Sequence, residues 1–248
     1  FAGSSAIVVG TANRLTFSTD SRYGAAIARA QGADDECPGL ALVVVEHSYD
    51  ATLGALLSAM PSARVGFEAA HLSVSRHRWL RTSIARGSAG TLPELVATEG
   101  LVERARVRKD AYELTVLREA ARRLSTVAAA LMADVRPGRS EREVAMAIDW
   151  RIREAGFERS AFETIVAAGP NAALPHAKPG ERILREGDLV VLDFGGVYDS
   201  YCVDLTRTLA VGHPSPRARE VYQAVLAAHD LAIAAVTPES VSRAAAVL

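Results

Sequence analysis

The run from Leu189 to Thr208, LVVLDFGGVYDSYCVDLTRT, constrains this chain more than any other stretch. It consists of two β-type segments flanking Asp199-Ser200. If those two residues form a tight hairpin turn, Tyr198 faces Tyr201, Gly195 faces Asp204 and Asp193 faces Thr206. Side chains two apart share a face of a strand. Asp193 and Asp204 then point the same way as diagonal neighbours, with Cα atoms about 7–8 Å apart. Two carboxylates at that spacing both reach a cation placed between them. Gly195 and Gly196 remove bulk beside them, leaving room for an ion or a substrate. Asp-Ser is a poorer turn pair than Asp-Gly, and a bulge or a one-residue slip would put the two carboxylates on opposite faces.

Aspartate is disfavoured in strands, and a buried carboxylate needs a cation, a hydrogen-bond donor or a proton. Two readings stand side by side. In one, Arg207 or nearby backbone N–H groups satisfy the acids, or the strand ends are wet. In the other, the pair is a hard-oxygen site for a divalent metal. Upstream, residues 165–177 read IVAAGPNAALPHA. Gly169-Pro170-Asn171 is a turn signal, and Pro175 holds the backbone just before His176. Taken alone, a loop histidine is more often a surface residue than a catalytic one.

Elsewhere the first hundred residues alternate strand-like and helix-like segments. Ala6–Gly10, Arg14–Ser18, Leu40–Val45 and Val65–Phe67 read as strands. Tyr23–Gln31 and Ala51–Met60 read as helices, the latter closed by Pro61. This is the pattern of an α/β layer domain. From Lys109 to Met132 the spacing predicts a long amphipathic helix, with Leu114, Leu117, Leu124, Val127 and Leu131 on its apolar face. Ser140 followed by Glu143 predicts a capping box and a second helix to Glu154. Phe162–Ala167, Leu189–Tyr198 and Tyr201–Val211 are expected strands, and a last helix runs from Pro216 to Val236. The change of pattern puts a domain boundary at 106/107, giving domains 1–106 and 107–248.

The 248 residues are 49% hydrophobic and 23% charged, with a net charge of −1. Mixed charge of that kind gives no reason to expect a nucleic-acid partner. No apolar run reaches the roughly 18–20 residues that span a membrane. Cys37 and Cys202 lie far apart, so the expectation is two free thiols in a reducing compartment, the cytoplasm.

Three blocks together resemble the creatinase/aminopeptidase superfamily, peptidase family M24 with the pita-bread fold, and its prolidase and aminopeptidase P branches most of all. They are FETIVAAGPNAALPH from Phe162 to His176, GDLVVLDFG from Gly187 to Gly195, and YCVDLTRT from Tyr201 to Thr208. The first domain fits as well, through FAGSS at Phe1, TDSRY at Thr19 and VGFE at Val65. Lys109-Asp110 with Glu113-Leu114 resembles the opening of the catalytic domain. The implied fold is α/β then α+β: a creatinase-type N-terminal domain with its start clipped, then the first half of a pita-bread catalytic domain.

The resemblance also implies roles. Asp193 and Asp204 match metal ligands, the latter bridging two ions. His176 matches the histidine that binds substrate and assists catalysis. Phe162 and Ile165 match the pocket for the substrate's N-terminal side chain, and Thr206 matches a residue that orients a metal ligand. The implied chemistry is hydrolysis of Xaa–Pro bonds by water activated between two divalent ions about 3.5–4 Å apart. Mn²⁺ is the first candidate metal, with Co²⁺ and Zn²⁺ as alternatives, and the partners implied are a proline-containing peptide and a second copy in a homodimer. The further ligands, one histidine and a pair of glutamates, would lie beyond Leu248. The chain is therefore expected to be a fragment, inactive on its own. The rival functions are a metal-free binding module of the same fold and a creatinase-like amidinohydrolase.

Overall fold

The chain divides into two units, Phe1–Arg108 and Lys109–Leu248. A computed structural model describes residues 5–30, 39–60, 63–87 and 90–237. Phe1, Gln31, Cys37 and Pro61 lie outside the described residues. No described helix is long and apolar enough to cross a membrane.

In the first unit, β1 (Ile7–Gly10) runs antiparallel to β2 (Leu15–Asp20). The turn between them closes on Thr11, whose N–H donates to the Arg14 carbonyl at 2.8 Å. β3 (Leu40–Val45) lies parallel to β2, from Leu15 beside Leu40 to Asp20 beside Val45. Parallel strands need a long crossover, and α1 (Ser21–Ala30) lies within it. α2 (Tyr49–Ser58) starts at Ser48, whose hydroxyl accepts from the Ala51 N–H. β4 (Arg64–Glu68) and β5 (Glu94–Thr98) form a second parallel pair, with α3 (Val74–Gly87) in the crossover. α4 (Leu101–Arg106) is the last helix of the unit. The α/β character expected from the sequence is present.

In the second unit, polar caps fix where the two central helices begin. α5 (Ala111–Ala130) opens on a capping box between Asp110 and Glu113, and α6 (Glu141–Glu154) on one between Ser140 and Glu143. The buried stripe of α5 runs through Val116, Ala120, Leu124 and Val127, continuing to Leu131. Leu114, expected on that face, is 40% exposed. Steps of four, four, three and four residues keep the stripe over the sheet, and Leu114 falls two positions short of its start.

β6 (Arg159–Ser160), β7 (Ile165–Ala168), β8 (Leu189–Tyr198) and β9 (Tyr201–Ala210) form one antiparallel sheet. β8 is its centre, pairing with β6 and β7 on one edge and with β9 on the other. The strand expected over Phe162–Ala167 begins later, at Ile165. The Ser160 and Thr164 hydroxyls both donate to Asp149 Oδ1, at 2.8 and 2.7 Å, which bends the segment between β6 and β7 off the ladder.

The sheet's two faces differ. Val190, Leu192 and Phe194 are fully buried, clustered with Leu124 and Val127 of α5 and with Val144, Ile148 and Ile152 of α6. Each such side chain contributes about 1.5–3 kcal/mol by leaving water. That burial fixes the even-numbered residues of β8 inward and turns Asp193 and Gly195 to the other face. α7 (Pro216–Ala235) follows, capped by Ser215, and none of its residues is buried.

Candidate active site on the open face of the β8–β9 hairpin

The turn at Asp199-Ser200 has φ values of +46° and +65°, both in the left-handed region that a two-residue hairpin of this twist requires. The observed register pairs Tyr198 with Tyr201, Gly195 with Asp204 and Asp193 with Thr206. The expected diagonal is therefore present. The two carboxyl groups line one pocket, where the charge of Asp193 acts on Asp204. Withdrawal of its carboxyl from water, then the Asp193 charge, hold Asp204 above the ordinary carboxylate range. Asp204 as a whole is an exposed residue, so its withdrawal from water is partial.

The partners of the two acids exclude Arg207 from the readings left open by the sequence, while the Leu205 backbone N–H supports Asp204. Thr206 Oγ1 donates to Asp193 Oδ1 at 2.7 Å. Arg207 sits on the opposite face, across from Leu192, and donates to the Thr206 carbonyl at 2.8 Å. Among the described residues neither Asp193 nor Asp204 forms an ion pair. Two hard-oxygen donors that repel each other and lack a positive partner fit a divalent cation.

The glycines behave otherwise than expected. A Cβ on Gly195 would strike the Val203 carbonyl and fall 2.6 Å from the Phe162 ring. One on Gly196 would strike the Phe157 ring. The missing side chains make room for two aromatic rings, not for an ion. Phe162 thereby becomes a wall of the site.

An open pocket of about 410 Å³ lies against the acids. Asp193, Asp204, Phe162, Ile165 and His176 all line it, so each of these expected site residues reaches one place. Thr206 acts on it through Asp193. His176 is exposed and has φ +57°, an unusual conformation that histidine adopts more readily than most residues.

The sequence reading missed what holds the His176 loop. Glu141, in the first turn of α6, is 1% exposed. It accepts from Ala168 N at 2.8 Å, from Asn171 Nδ2 at 2.9 and 3.2 Å, and from Gly180 N at 3.2 Å. One buried carboxylate thus ties both ends of the loop to a helix start, where the helix dipole also favours it. An acidic residue just after a serine cap carries no sequence signal of burial.

A separate trio, Glu68, His71 and Glu103, comes together in the first unit with all three residues exposed. Exposed groups of this kind stay solvated without an ion, and none of the three was singled out as a ligand.

Residues 115–246 match the model of metallopeptidase family M24, and residues 1–108 that of the creatinase/prolidase N-terminal domain. An uncharacterized peptidase of Bacillus subtilis, YqhT, is 32% identical over 96% of this chain and 64% of its own length. The Xaa-Pro dipeptidase of Pyrococcus furiosus is 34% identical over 58% of this chain and 42% of its own length. Among solved structures, an Xaa-Pro dipeptidase from Bacillus anthracis superposes with a TM-score of 0.79 at 32% identity, covering 91% of this chain and 60% of that one. An X-Pro aminopeptidase from Thermotoga maritima gives 0.79 at 28% identity, covering 93% and 62%. The chain thus spans less than two thirds of the length of these relatives. With a creatinase-type domain leading into a pita-bread sheet, the chain belongs to metallopeptidase family M24.

Proposed function

We propose that this chain carries part of the active site of a metal-dependent peptidase that hydrolyses Xaa–Pro bonds. The observation that carries the reading is the Asp193–Asp204 pair, two carboxyl groups on one face of the hairpin without an ion-pair partner among the described residues, lining a pocket shared with His176. Membership of a metallopeptidase family supports the hydrolytic class, and similarity to Xaa-Pro dipeptidases supports the bond cleaved.

Asp193 and Asp204 would hold divalent metal, which supplies an acidified water and polarises the scissile carbonyl. The residues of the chain do the rest. Thr206 keeps one Asp193 oxygen engaged and so fixes how the carboxylate is presented. His176, on a loop tied down through Glu141, donates a hydrogen bond to charge developing on the substrate. Phe162 and Ile165 form the apolar wall against which the substrate's N-terminal side chain packs.

The test uses the full-length protein with added Mn²⁺ and an Xaa–Pro dipeptide. Asp204→Ala removes a ligand outright and should lower kcat/KM by at least about a hundredfold, the upper end of losses seen when only a ligand's supporting group is removed. If no Xaa–Pro substrate is cleaved and Asp204→Ala changes nothing, the protein is a binding module of this fold.

A further inference from the structure

Asp149 lies on α6, outside the residues that line the pocket. Its Oδ1 accepts from Ser160 Oγ at 2.8 Å and from Thr164 Oγ1 at 2.7 Å. Thr164 is only 4% exposed, so its hydroxyl depends on this acceptor in place of water.

The two hydroxyls bracket a bulge. Ser160 stands opposite Gly196, and Ile165 opposite Asp193. Between those pairs the four residues 161–164 face only Phe194 and Gly195 of β8. The surplus length must leave the ladder, and a bulge of this kind re-aims a side chain. The side chain re-aimed here is Phe162, whose ring comes within 2.6 Å of where a Cβ on Gly195 would stand. The Ala161 N–H still donates to the Gly195 carbonyl at 3.0 Å, so the bulge starts from β8 itself. One carboxylate bound to both ends then holds the bulge closed.

We infer that Asp149 is a positioning residue for substrate selectivity. By holding Ser160 and Thr164 together it sets where the Phe162 wall stands, and so how closely that wall meets the substrate's N-terminal side chain. The inference rests on the Xaa–Pro hydrolase reading. Asp149 acts only through the bulge and touches no substrate. What both hydroxyls require is an acceptor oxygen, which asparagine offers and alanine does not.

The experiment measures kcat/KM for Leu-Pro and Gly-Pro on full-length, metal-loaded protein and takes their ratio. Asp149→Ala should lower the Leu-to-Gly ratio about tenfold, the lower end of what one methylene of apolar contact discriminates. Asp149→Asn should keep the ratio within about threefold. Ser160→Ala, which removes one of the two ties and leaves buried Thr164 in place, should lower it about threefold and serves if Asp149→Ala does not fold. Both substrates are read on one preparation, so any loss of folded protein cancels in the ratio. Mn²⁺ affinity should stay within about threefold in all three variants, because Asp193 and Asp204 belong to the hairpin. A ratio unmoved by Asp149→Ala and Ser160→Ala overturns the assignment while leaving the hydrolase reading intact. So does an Asp149→Asn protein as impaired as Asp149→Ala, or loss of Mn²⁺ binding in Asp149→Ala, since either makes Asp149 a general support of the fold. Cleavage of neither substrate, with Asp204→Ala indistinguishable from the unmodified protein, overturns both readings.

Discussion

The β8–β9 hairpin and the loop from Gly169 to Gly180 line the same pocket but owe their shapes to different causes. The hairpin is local. Its register follows from a two-residue turn and from burial of Val190, Leu192 and Phe194, and its two acids are left without cationic partners. The loop is non-local. It is held by a carboxylate 27 to 39 residues away in sequence, and that carboxylate is fully satisfied. Glu141, then, is matched by donors from the loop, whereas Asp193 and Asp204 line the pocket without an ion-pair partner among the described residues, as the proposed metal site requires.

Substitution of the two kinds of acid should break the comparison if it is wrong. Glu141→Ala leaves Ala168 N, Gly180 N and the Asn171 amide without their acceptor. It should cost about 3 kcal/mol in denaturant unfolding, since each stranded buried donor costs about 1–3 kcal/mol before local rearrangement. A loss under about 1 kcal/mol would mean that the loop is not held through Glu141.

The hairpin turn comes next in size. Ser200 holds φ +65° without being glycine. Ser200→Gly should stabilise by about 0.5–1 kcal/mol, because a side chain in the left-handed region carries a penalty that glycine escapes. The Ser200 N–H donates to Glu158 Oε1 at 3.0 Å and survives the change. An unfolding midpoint that fails to rise would show that the turn does not govern the register.

Smallest of all is the effect of Asp204→Asn without metal, which relieves repulsion at a solvent-screened position. It should leave stability unchanged or raise it by a few tenths of a kcal/mol. A loss comparable to that of Glu141→Ala would erase the distinction between the two regions.

Titration sharpens the same contrast through opposite signs. Asp188 precedes β8; burial pushes its carboxyl up, but Arg182, at 2.7 and 3.0 Å, and the Arg185 N–H outweigh this and leave it low. A lowered carboxylate gives stability that is present above its unfolded value of 3.8 and is lost as pH falls through the folded value. Asp204 is raised, so its contribution is present below 3.8 and is lost as pH rises through its higher folded value. Unfolding followed from pH 6 to pH 3 should therefore lose part of its acid limb in Asp188→Asn. The Asp204→Asn change should instead remove a small loss of stability on the alkaline side of 3.8.

These causes also explain what could be read from the sequence. Period-two alternation and a turn pair gave the hairpin and the convergence of its acids, and serine and aspartate caps gave the starts of α5 and α6. The helix α3 was not legible, because only Leu80 and Ile84 are buried in a segment otherwise rich in arginine. The strand expected from Phe162 starts late because its hydroxyl ties to Asp149 depend on a helix already in place. Glu141 was invisible for the same reason, its hydrogen-bond donors being brought to it only by the fold. The glycines misled because absent side chains say that space is needed, not what fills it; here Phe162 and Phe157 do.

The most direct test of the central claim is calorimetric titration of Mn²⁺ into the full-length protein, beside Asp193→Asn and Asp204→Asn. The expected result is saturable binding that weakens by at least about tenfold in either variant, as the proposal that both acids are ligands of one site requires. Unchanged affinity and stoichiometry in both variants would contradict it.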